Sequence, residues 1–395
     1  HQMNQRAGEA FGVPVLRLPL KKSAKIVVGN ALRLDWNEVL PAKRCSFVLG
    51  NPPFVGKKER TAAQKADLDE VTKSVKGAGV LDYVTCWYLV ASVYIRGTAI
   101  RCAFVSTNSV SQGEQVGVLW PELFRRGIKI QSAHRTFRWM SEARGKAHVH
   151  VVIIGFGIGD IAGKIIYDYS DVDGDPVPTP ASNINPYLIV GPDTACTSRA
   201  HPICDVPEIM EGSALIDNGH LVIEDEEIAA FRSANPEADR WIRPLSGGDD
   251  LINGNRRWCL WLDGVPANEL RASPGVMARV GAVQEFRKAS GRSATVALAK
   301  SPALFGETRQ PKTAYLFIPK TSSERRAAIP MAFVSADVVI NNTSLFIESA
   351  TPYHFGVLTS EMHMAWVRQV CGRLKSDFRY SIKLVYNNFP LSLIH

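Results

Sequence analysis

The residues best suited to chemistry are Asn51, Pro52, Pro53 and Phe54, which close the string Ser46-Phe-Val-Leu-Gly-Asn-Pro-Pro-Phe54. The apolar run before them reads as a buried strand, and its carboxyl end is where open α/β sheets place ligands. Two prolines stiffen the loop and remove backbone donors, which leaves their carbonyls as acceptors. That combination suits the grip of a planar amino group. The lone pair of an exocyclic base amine is delocalised into the ring, so the amine is a poor nucleophile. Two acceptors, the Asn51 side-chain oxygen and the Pro52 carbonyl, would each take one N–H and bias the nitrogen toward a tetrahedral geometry. The freed lone pair could then attack a methyl sulfonium while Phe54 stacks on the ring. Such catalysis rests on preorganised dipoles and needs neither a covalent intermediate nor a metal. Asn-Pro-Pro also occurs in ordinary turns, and its position directly after an apolar strand is what favours a site here.

The elements that must position this loop alternate between strand-like and helix-like. Short β-branched or apolar runs fall at Lys25–Gly29, Ser46–Gly50, Ile100–Ser106 and His148–Phe156. Helical stretches fall between them, notably Leu81–Ile95 and Gln115–Phe124. Strands separated by helices predict a parallel, doubly wound sheet. From Asp168 to Pro192 the chain turns rich in Asp, Pro and Gly and reads as a linker. Beyond it, Asn255–Leu262, Ala314–Pro319, Val338–Glu348 and Ile382–Tyr386 read as short strands among turns.

At 395 residues the chain exceeds one average domain and predicts two, at about 150 residues each. With 46% hydrophobic and 21% charged residues it is an ordinary globular composition, neither disordered nor collagen-like. No apolar run reaches the ~18 residues of a membrane helix. Seven cysteines, at 45, 86, 102, 196, 204, 259 and 371, form no C-x-x-C pair and no histidine-spaced set. They read as reduced thiols of a cytoplasmic protein, with no metal site expected. The net charge of +8 is compatible with a polyanionic partner, and its distribution is more telling. Residues 205–250 hold twelve acids against three bases, whereas 286–330 hold nine bases, Arg287 among them, against two acids. That asymmetry points to a nucleic-acid face, with a solvated surface as the plain alternative.

The Asn-Pro-Pro-Phe string resembles motif IV of the class I amino-group methyltransferases that use S-adenosylmethionine. The wider sequence is similar to the MmeI-like adenine-specific DNA methyltransferases of combined type II restriction–modification enzymes. Gly29-Asn-Ala-Leu-Arg-Leu-Asp-Trp36, Leu81-Asp-Tyr-Val-Thr-Cys-Trp87, Phe104-Val-Ser-Thr-Asn-Ser109 and Ala133-His-Arg-Thr-Phe137 support the likeness. So do Ser322-Ser-Glu-Arg-Arg326, Tyr353-His-Phe-Gly-Val-Leu-Thr359, Phe378-Arg-Tyr-Ser381 and Tyr386-Asn-Asn-Phe-Pro390. The resemblance implies a partial Rossmann-like methyltransferase domain over 1–165, a linker over 166–192 and a mixed α+β target-recognition domain over 193–395. It also implies that Asn51, Pro52, Pro53 and Phe54 methylate N6 of an adenine flipped out of double-stranded DNA.

Further assignments follow by position. Asn30 would close a strand where relatives carry an acid on the adenine amine of the cofactor. Asp82 and Tyr83 would open a helix that lines the cofactor pocket. Phe137, or else Trp139, would stack on the flipped base, unless these are plain core aromatics. Lys320, Arg325, Arg326, Arg373 and Lys375 are the candidate DNA contacts, and Asn341–Glu348 a candidate reader of bases. The glycine-rich turn that cradles the methionine part of the cofactor has no counterpart here. Gly155-Phe-Gly-Ile-Gly159 is the nearest string, but it follows the last strand and is rejected. The chain therefore reads as a fragment that begins mid-protein at His1, lacking two strands between Lys25–Gly29 and Ser46–Gly50 and an upstream nuclease. It is expected to bind S-adenosylmethionine weakly or not at all. The open alternatives are cytosine N4, RNA or a glutamine side chain as acceptor, and a DNA-binding specificity module with an inactive methyltransferase half.

Overall fold

A computed structural model describes residues 24–139, 149–374 and 376–393. The first half is built on one six-stranded sheet. Its strands are β1 (Phe47–Gly50), β2 (Arg101–Thr107), β3 (Ile128–Trp139), β4 (Val149–Ile158), β5 (Lys164–Asp168) and β6 (Val177–Ala181), in the spatial order β1-β2-β4-β3-β5-β6. The predicted all-parallel sheet is corrected. β1 and β2 run parallel, but β4 lies antiparallel to both β2 and β3, and β6 runs antiparallel to β5. β3 itself was not legible as a strand. Its sequence Ile-Lys-Ile-Gln-Ser-Ala-His-Arg-Thr-Phe-Arg-Trp mixes polar and apolar residues, and two register shifts against β4 break any period of two.

The predicted strand at Lys25–Gly29 is also corrected. The segment is irregular and exposed, with Val28 95% accessible, and no strand pairs with it among the described residues. A β-branched run becomes a strand only where an edge receives its backbone groups. Gly29-Asn30 instead opens a turn, in which the Asn30 carbonyl accepts the N–H groups of Arg33 and Leu34. β1 therefore stands at the edge of the sheet, with Phe47 and Leu49 exposed and no strand on its outer side among the described residues.

Helices α1 (Ala62–Val71), α2 (Thr85–Tyr94) and α3 (Val116–Arg125) follow β1 and β2. Thr61 and Gln64 form a reciprocal cap at the start of α1. α2 buries Tyr88, which stacks on Phe156 and meets Phe104 and Trp120 edge-on. The glycines of β4 have a packing role. A β-carbon at Gly155 would lie 2.2 Å from Ser132 Oγ, so a side chain there would have to displace the serine hydroxyl.

The stretch read as a linker is part of the structure. β5 and β6 extend the sheet, and Lys164, 1% exposed, is held by Asn183 at 2.7 Å and Asp160 at 2.5 Å. Asn183 donates in turn to Asp193 and to the Gly191 carbonyl, both at 2.8 Å, and Lys129 also pairs with Asp193. Asn183, together with Asp160 and Asp193 on either side of the stretch, fastens the segment to the sheet.

The second half carries three smaller sheets. β7 (Ile209–Glu211), β8 (Val222–Glu224), β9 (Ile242–Ser246), β10 (Arg257–Leu260), β11 (Tyr315–Pro319), β12 (Thr321–Ser322), β13 (Ala332–Val334), β14 (Val339–Ile340), β15 (Ser344–Glu348), β16 (Gly372–Leu374) and β17 (Asp377–Arg379) supply them. Their orders are β14-β9-β10-β8, β13-β11-β15-β7 and β12-β17-β16. Two helices matter below, α4 (Pro274–Lys288) and α5 (Glu361–Val370). The predicted Ile382–Tyr386 strand is instead a short π-helical turn, started by Ser381, whose hydroxyl accepts from the Leu384 N–H. One core joins the halves, since Phe104 and Ile154 of the first sheet belong to the same buried cluster as Leu316, Leu345 and Met364. The halves meet closely at Gly117, where a β-carbon would lie 2.3 Å from the Cys196 carbonyl oxygen, and at Gly113. The φ of Gly113 is +68°, a conformation that strains any other residue, and a β-carbon there would sit 3.1 Å from the Gly372 Cα.

His363, on α5, is fully buried. Its Nε2 bonds Tyr380 at 2.9 Å, its Nδ1 has no partner among the described residues, and burial lowers its pKa to about 4. The unfolded chain protonates near pH 6.5 while the folded protein does not. Stability should therefore fall as pH drops from about 6.5 to 4, by roughly 3 kcal/mol in all, and level off below. Urea melts of wild type and His363→Gln across that window check this, and the variant should lose that share of the slope.

Candidate active site and nucleic-acid cleft

The Asn51–Phe54 loop leaves β1 at its carboxyl end, beside the parallel end of β2. Pro52 is buried and Phe54 half-buried against the core, which anchors the loop at alternate residues and leaves Asn51 exposed. Gly50 permits the entry, because a β-carbon there would sit 3.1 Å from the Phe104 ring. The Tyr83 N–H donates to the Val55 carbonyl at 3.4 Å and ties the loop to the start of α2. Among the described residues, neither the Asn51 side chain nor the Pro52 carbonyl is engaged in a hydrogen bond. The Asn51 side chain is exposed, and the Pro52 carbonyl has no donor among the described residues.

The residues assigned to the cofactor are engaged elsewhere. Asn30 donates to Asp67 at 2.8 Å, and its side-chain oxygen accepts the Leu32 N–H at 3.0 Å. Tyr83 also donates to Asp67, at 2.8 Å, and Arg33 does so at 2.6 Å. Burial pushes the Asp67 carboxyl up, but the hydrogen bonds from Asn30, Tyr83 and Arg33 outweigh it and hold the group below the usual carboxylate range. Asp82 accepts from Ser109 at 2.7 Å and from Gln115 at 2.8 Å, while its own N–H donates to the Gln115 side chain. These side chains brace α1, α2 and α3 against one another.

Phe137 and Trp139 lie at the same end of the sheet as the Asn51 loop. Thr107 of β2 pairs with Val151 of β4, which pairs with Phe137, three residues beyond the level of Gly50. Three strand spacings, about 14 Å, separate Phe137 from the β1 end. One face of Phe137 is stacked on Tyr169 at 5.0 Å, and Trp139 lies 6.2 Å away. His134 stacks on Tyr167 and bonds the Tyr169 hydroxyl at 2.8 Å.

Two adjoining clefts open where this sheet end meets the second half. The first, about 630 Å³, is walled by Arg135, Arg138 and Asp168 on one side and by Arg325, Arg368 and Arg373 on the other. The second, about 680 Å³, takes in Ser109, Gln112, Lys320, Arg379 and Lys383. Asn108, Gln112 and Arg373 line both, so the clefts form one groove. The Asn51 loop is outside the lining of either.

Of the expected DNA contacts, Arg325 faces the first cleft and Lys320 the second, where Lys320 is paired with Glu211. Arg373 touches both but is largely packed, its guanidinium 4.0 Å from the Phe378 ring and bonded to the Ser376 carbonyl. Arg326 lies apart from both linings, with Nη1 3.4 Å from Ser322. Lys375 falls outside the described residues. Arg287, counted in the basic stretch, is corrected to a core residue, fully buried. Arg135, Arg138 and Arg368 also line the first cleft and were not among the expected contacts. The interleaving of His134-Arg135-Thr136-Phe137-Arg138-Trp139 was the available signal, since bases alternating with aromatics suit a nucleic-acid surface.

Comparison with known proteins places these features. Residues 1–168 match the profile described as "MmeI, DNA-methyltransferase domain", and residues 190–393 that of "MmeI, target recognition domain". DNA methyltransferase A of Bacillus subtilis (strain 168) is 37% identical over 394 residues. The type IIL restriction–modification enzyme MmeI, solved in complex with DNA, is 50% identical with a TM-score of 0.92. Each alignment takes in 99% of this chain, but only 44% of the first relative and 52% of the second. The chain thus spans about half the length of those relatives.

Proposed function

Given that the chain belongs to the MmeI family, with a methyltransferase domain followed by a target-recognition domain, we propose that it forms part of a restriction–modification enzyme that methylates N6 of adenine in double-stranded DNA. The observation that supports this most is the pair of acceptors, the exposed Asn51 side chain and the Pro52 carbonyl, that stand without hydrogen bonds among the described residues at the carboxyl end of β1. Each takes one N–H of the adenine amine and turns the nitrogen lone pair out of the ring plane. Phe54 limits the ring to one orientation, and Pro53 keeps the loop from collapsing onto its own acceptors. The base must leave the helix to reach this loop, and the Phe137–Tyr169 stack with Trp139 offers aromatic surface at the same sheet end. Arg325, with Arg135, Arg138 and Arg368, supplies cleft charge for phosphates, and Lys320 lies further along the groove.

The methyl donor of such a reaction is S-adenosylmethionine. Asn30, Asp82 and Tyr83 fit it poorly as they stand, because their polar atoms are committed inside the protein. Calorimetry of this chain with S-adenosylmethionine should accordingly show no binding tighter than roughly millimolar, and a micromolar constant would contradict that reading. The same inward commitment favours a second reading, a DNA-binding specificity module without transfer activity. Nucleoside analysis of duplex DNA incubated with the complete polypeptide and S-adenosylmethionine separates the two. N6-methyladenine supports the methyltransferase, N4-methylcytosine corrects the base, and unmodified DNA from a protein that binds it supports the module.

A further inference from the structure

The first cleft contains two arginines that are already occupied. Arg135 Nη1 lies 2.8 Å from Asp168, and Arg138 Nη1 lies 2.8 Å from Asp173. Both arginines stand on the outer half of β3, Arg135 within its second register shift and Arg138 just beyond it. Both acids lie on the chain that follows, Asp168 at the end of β5 and Asp173 in the turn after it. The Arg138 backbone N–H also donates to the Val172 carbonyl at 2.9 Å, which holds that turn against the strand. Across the cleft, Arg373 lies 3.6 Å from Glu324, while Arg325 and Arg368 have no carboxylate partner among the described residues. Both arginines of the wall nearer the sheet are thus neutralised from within, whereas two of the three on the opposite wall are open.

The exposures decide what such pairs can do. The arginine side chains are 41% and 35% accessible and their partners 49% and 40%. Pairs this exposed contribute little to stability and exchange readily. A phosphate offers a guanidinium a comparable pair of acceptor oxygens, so it can displace a carboxylate that is held weakly.

We propose that Asp168 and Asp173 act as internal phosphate mimics, holding Arg135 and Arg138 in the free protein until DNA phosphates displace them. This rests on the reading of the cleft as a DNA face. The consequence is selectivity. DNA that merely touches the cleft must break two ion pairs and face two released carboxylates, whereas a duplex engaged along the whole groove has other contacts to offset that cost. The acids lower affinity for random DNA, which binds through phosphate contacts alone.

The test is titration of this chain with a labelled random-sequence duplex at about 50 mM and about 200 mM salt. Asp168→Asn with Asp173→Asn should tighten binding about tenfold at low salt and less at high salt. Asp171→Asn is the control. Asp171 lines the same cleft, but its side chain bonds only the turn's own backbone, accepting the Asp173 N–H at 3.1 Å, so its loss should change affinity less than about twofold. Arg135→Gln with Arg138→Gln should weaken binding and lower the salt slope by about two. Equal tightening by Asp171→Asn would reduce the effect to bulk charge and overturn the proposal. Weaker binding by the Asp168/Asp173 variant would do so too, by making the acids props that hold the arginines in place. If the arginine variant binds as wild type, or the chain binds no duplex, the DNA-face reading falls and the proposal with it. Melting temperatures of all variants, expected near wild type at these exposed positions, show that each change acts on a folded protein.

Discussion

Asn51→Ala in the complete polypeptide is expected to lower the rate of methyl transfer at least about a hundredfold while leaving DNA affinity within about twofold. The exposed amide makes no internal hydrogen bond among the described residues, so its removal leaves no buried group unsatisfied and should not unfold the loop. Pro52 remains buried and Phe54 packed, so the backbone path is kept. What disappears is one of two acceptors on the amine, and with it the bias toward a tetrahedral nitrogen. Asn51→Asp separates the roles of oxygen and amide nitrogen, since it keeps an acceptor and should retain more activity than alanine. Single-turnover transfer measured alongside duplex binding checks both. A rate near wild type in Asn51→Ala would remove this loop from the chemistry.

Arg287→Met is expected to cost about 3–5 kcal/mol of stability, a second large effect with no bearing on the cleft. All three guanidinium nitrogens of this buried side chain donate to backbone carbonyls. Nε reaches that of Ile216 at 2.8 Å, Nη1 those of Leu298 and Ser301 at 3.1 and 3.0 Å, and Nη2 those of Leu215 and Leu304 at 3.0 and 2.8 Å. Arg287 stands near the end of α4 and gathers loop segments on either side of that helix in sequence. The carbonyls of Leu215, Leu298 and Ser301 each accept a backbone N–H as well, but those of Ile216 and Leu304 have no other donor among the described residues. Methionine approaches its length and offers no donor, so those two carbonyls lose their partner at about 1–3 kcal/mol each. Lysine, with three donors at one point, should recover part of the loss but not all. Thermal denaturation should show a fall of at least about 8 °C for the methionine variant, and a shift under about 2 °C would contradict the clamp.

Arg287 also shows how far the charge pattern reaches. Nine bases in 286–330 look like a face in one dimension, yet one of them is core and others are matched by acids from the opposite stretch. Glu211, from the acidic region, receives both Lys320 and Arg309. Charge segregated along the chain is brought together by the fold, and what remains uncompensated is set by which segments meet. The cleft arginines Arg135 and Arg138 come from a strand that sequence periodicity did not show.

The Asn51 loop and the strands β2 and β4 were legible because their signals are local. Arg101–Thr107 and Val149–Ile158 are largely apolar runs in the sheet interior, and prolines fix the Asn51 loop without help from distant residues. Lys25–Gly29 has a similar composition but no strand to pair with, so composition alone did not decide it. Ile382–Tyr386 likewise reads as a strand, and a Ser381 cap turns it into a helical turn. The cofactor assignments depended on tertiary geometry. Asn30 and Tyr83 converge on Asp67, a residue 37 positions from the first and 16 from the second, and no spacing rule exposes that.

The identity of the modified base, and Asn51 as the cause of its modification, are tested most directly in living cells. The complete reading frame, expressed in a host without adenine methylation of its own, should leave N6-methyladenine at one defined motif in single-molecule sequencing of the genomic DNA. The Asn51→Ala control should leave that motif unmodified. A genome without modified bases, from wild-type protein shown to be soluble and bound to DNA, would contradict methyl transfer at this loop and leave the chain as a specificity module.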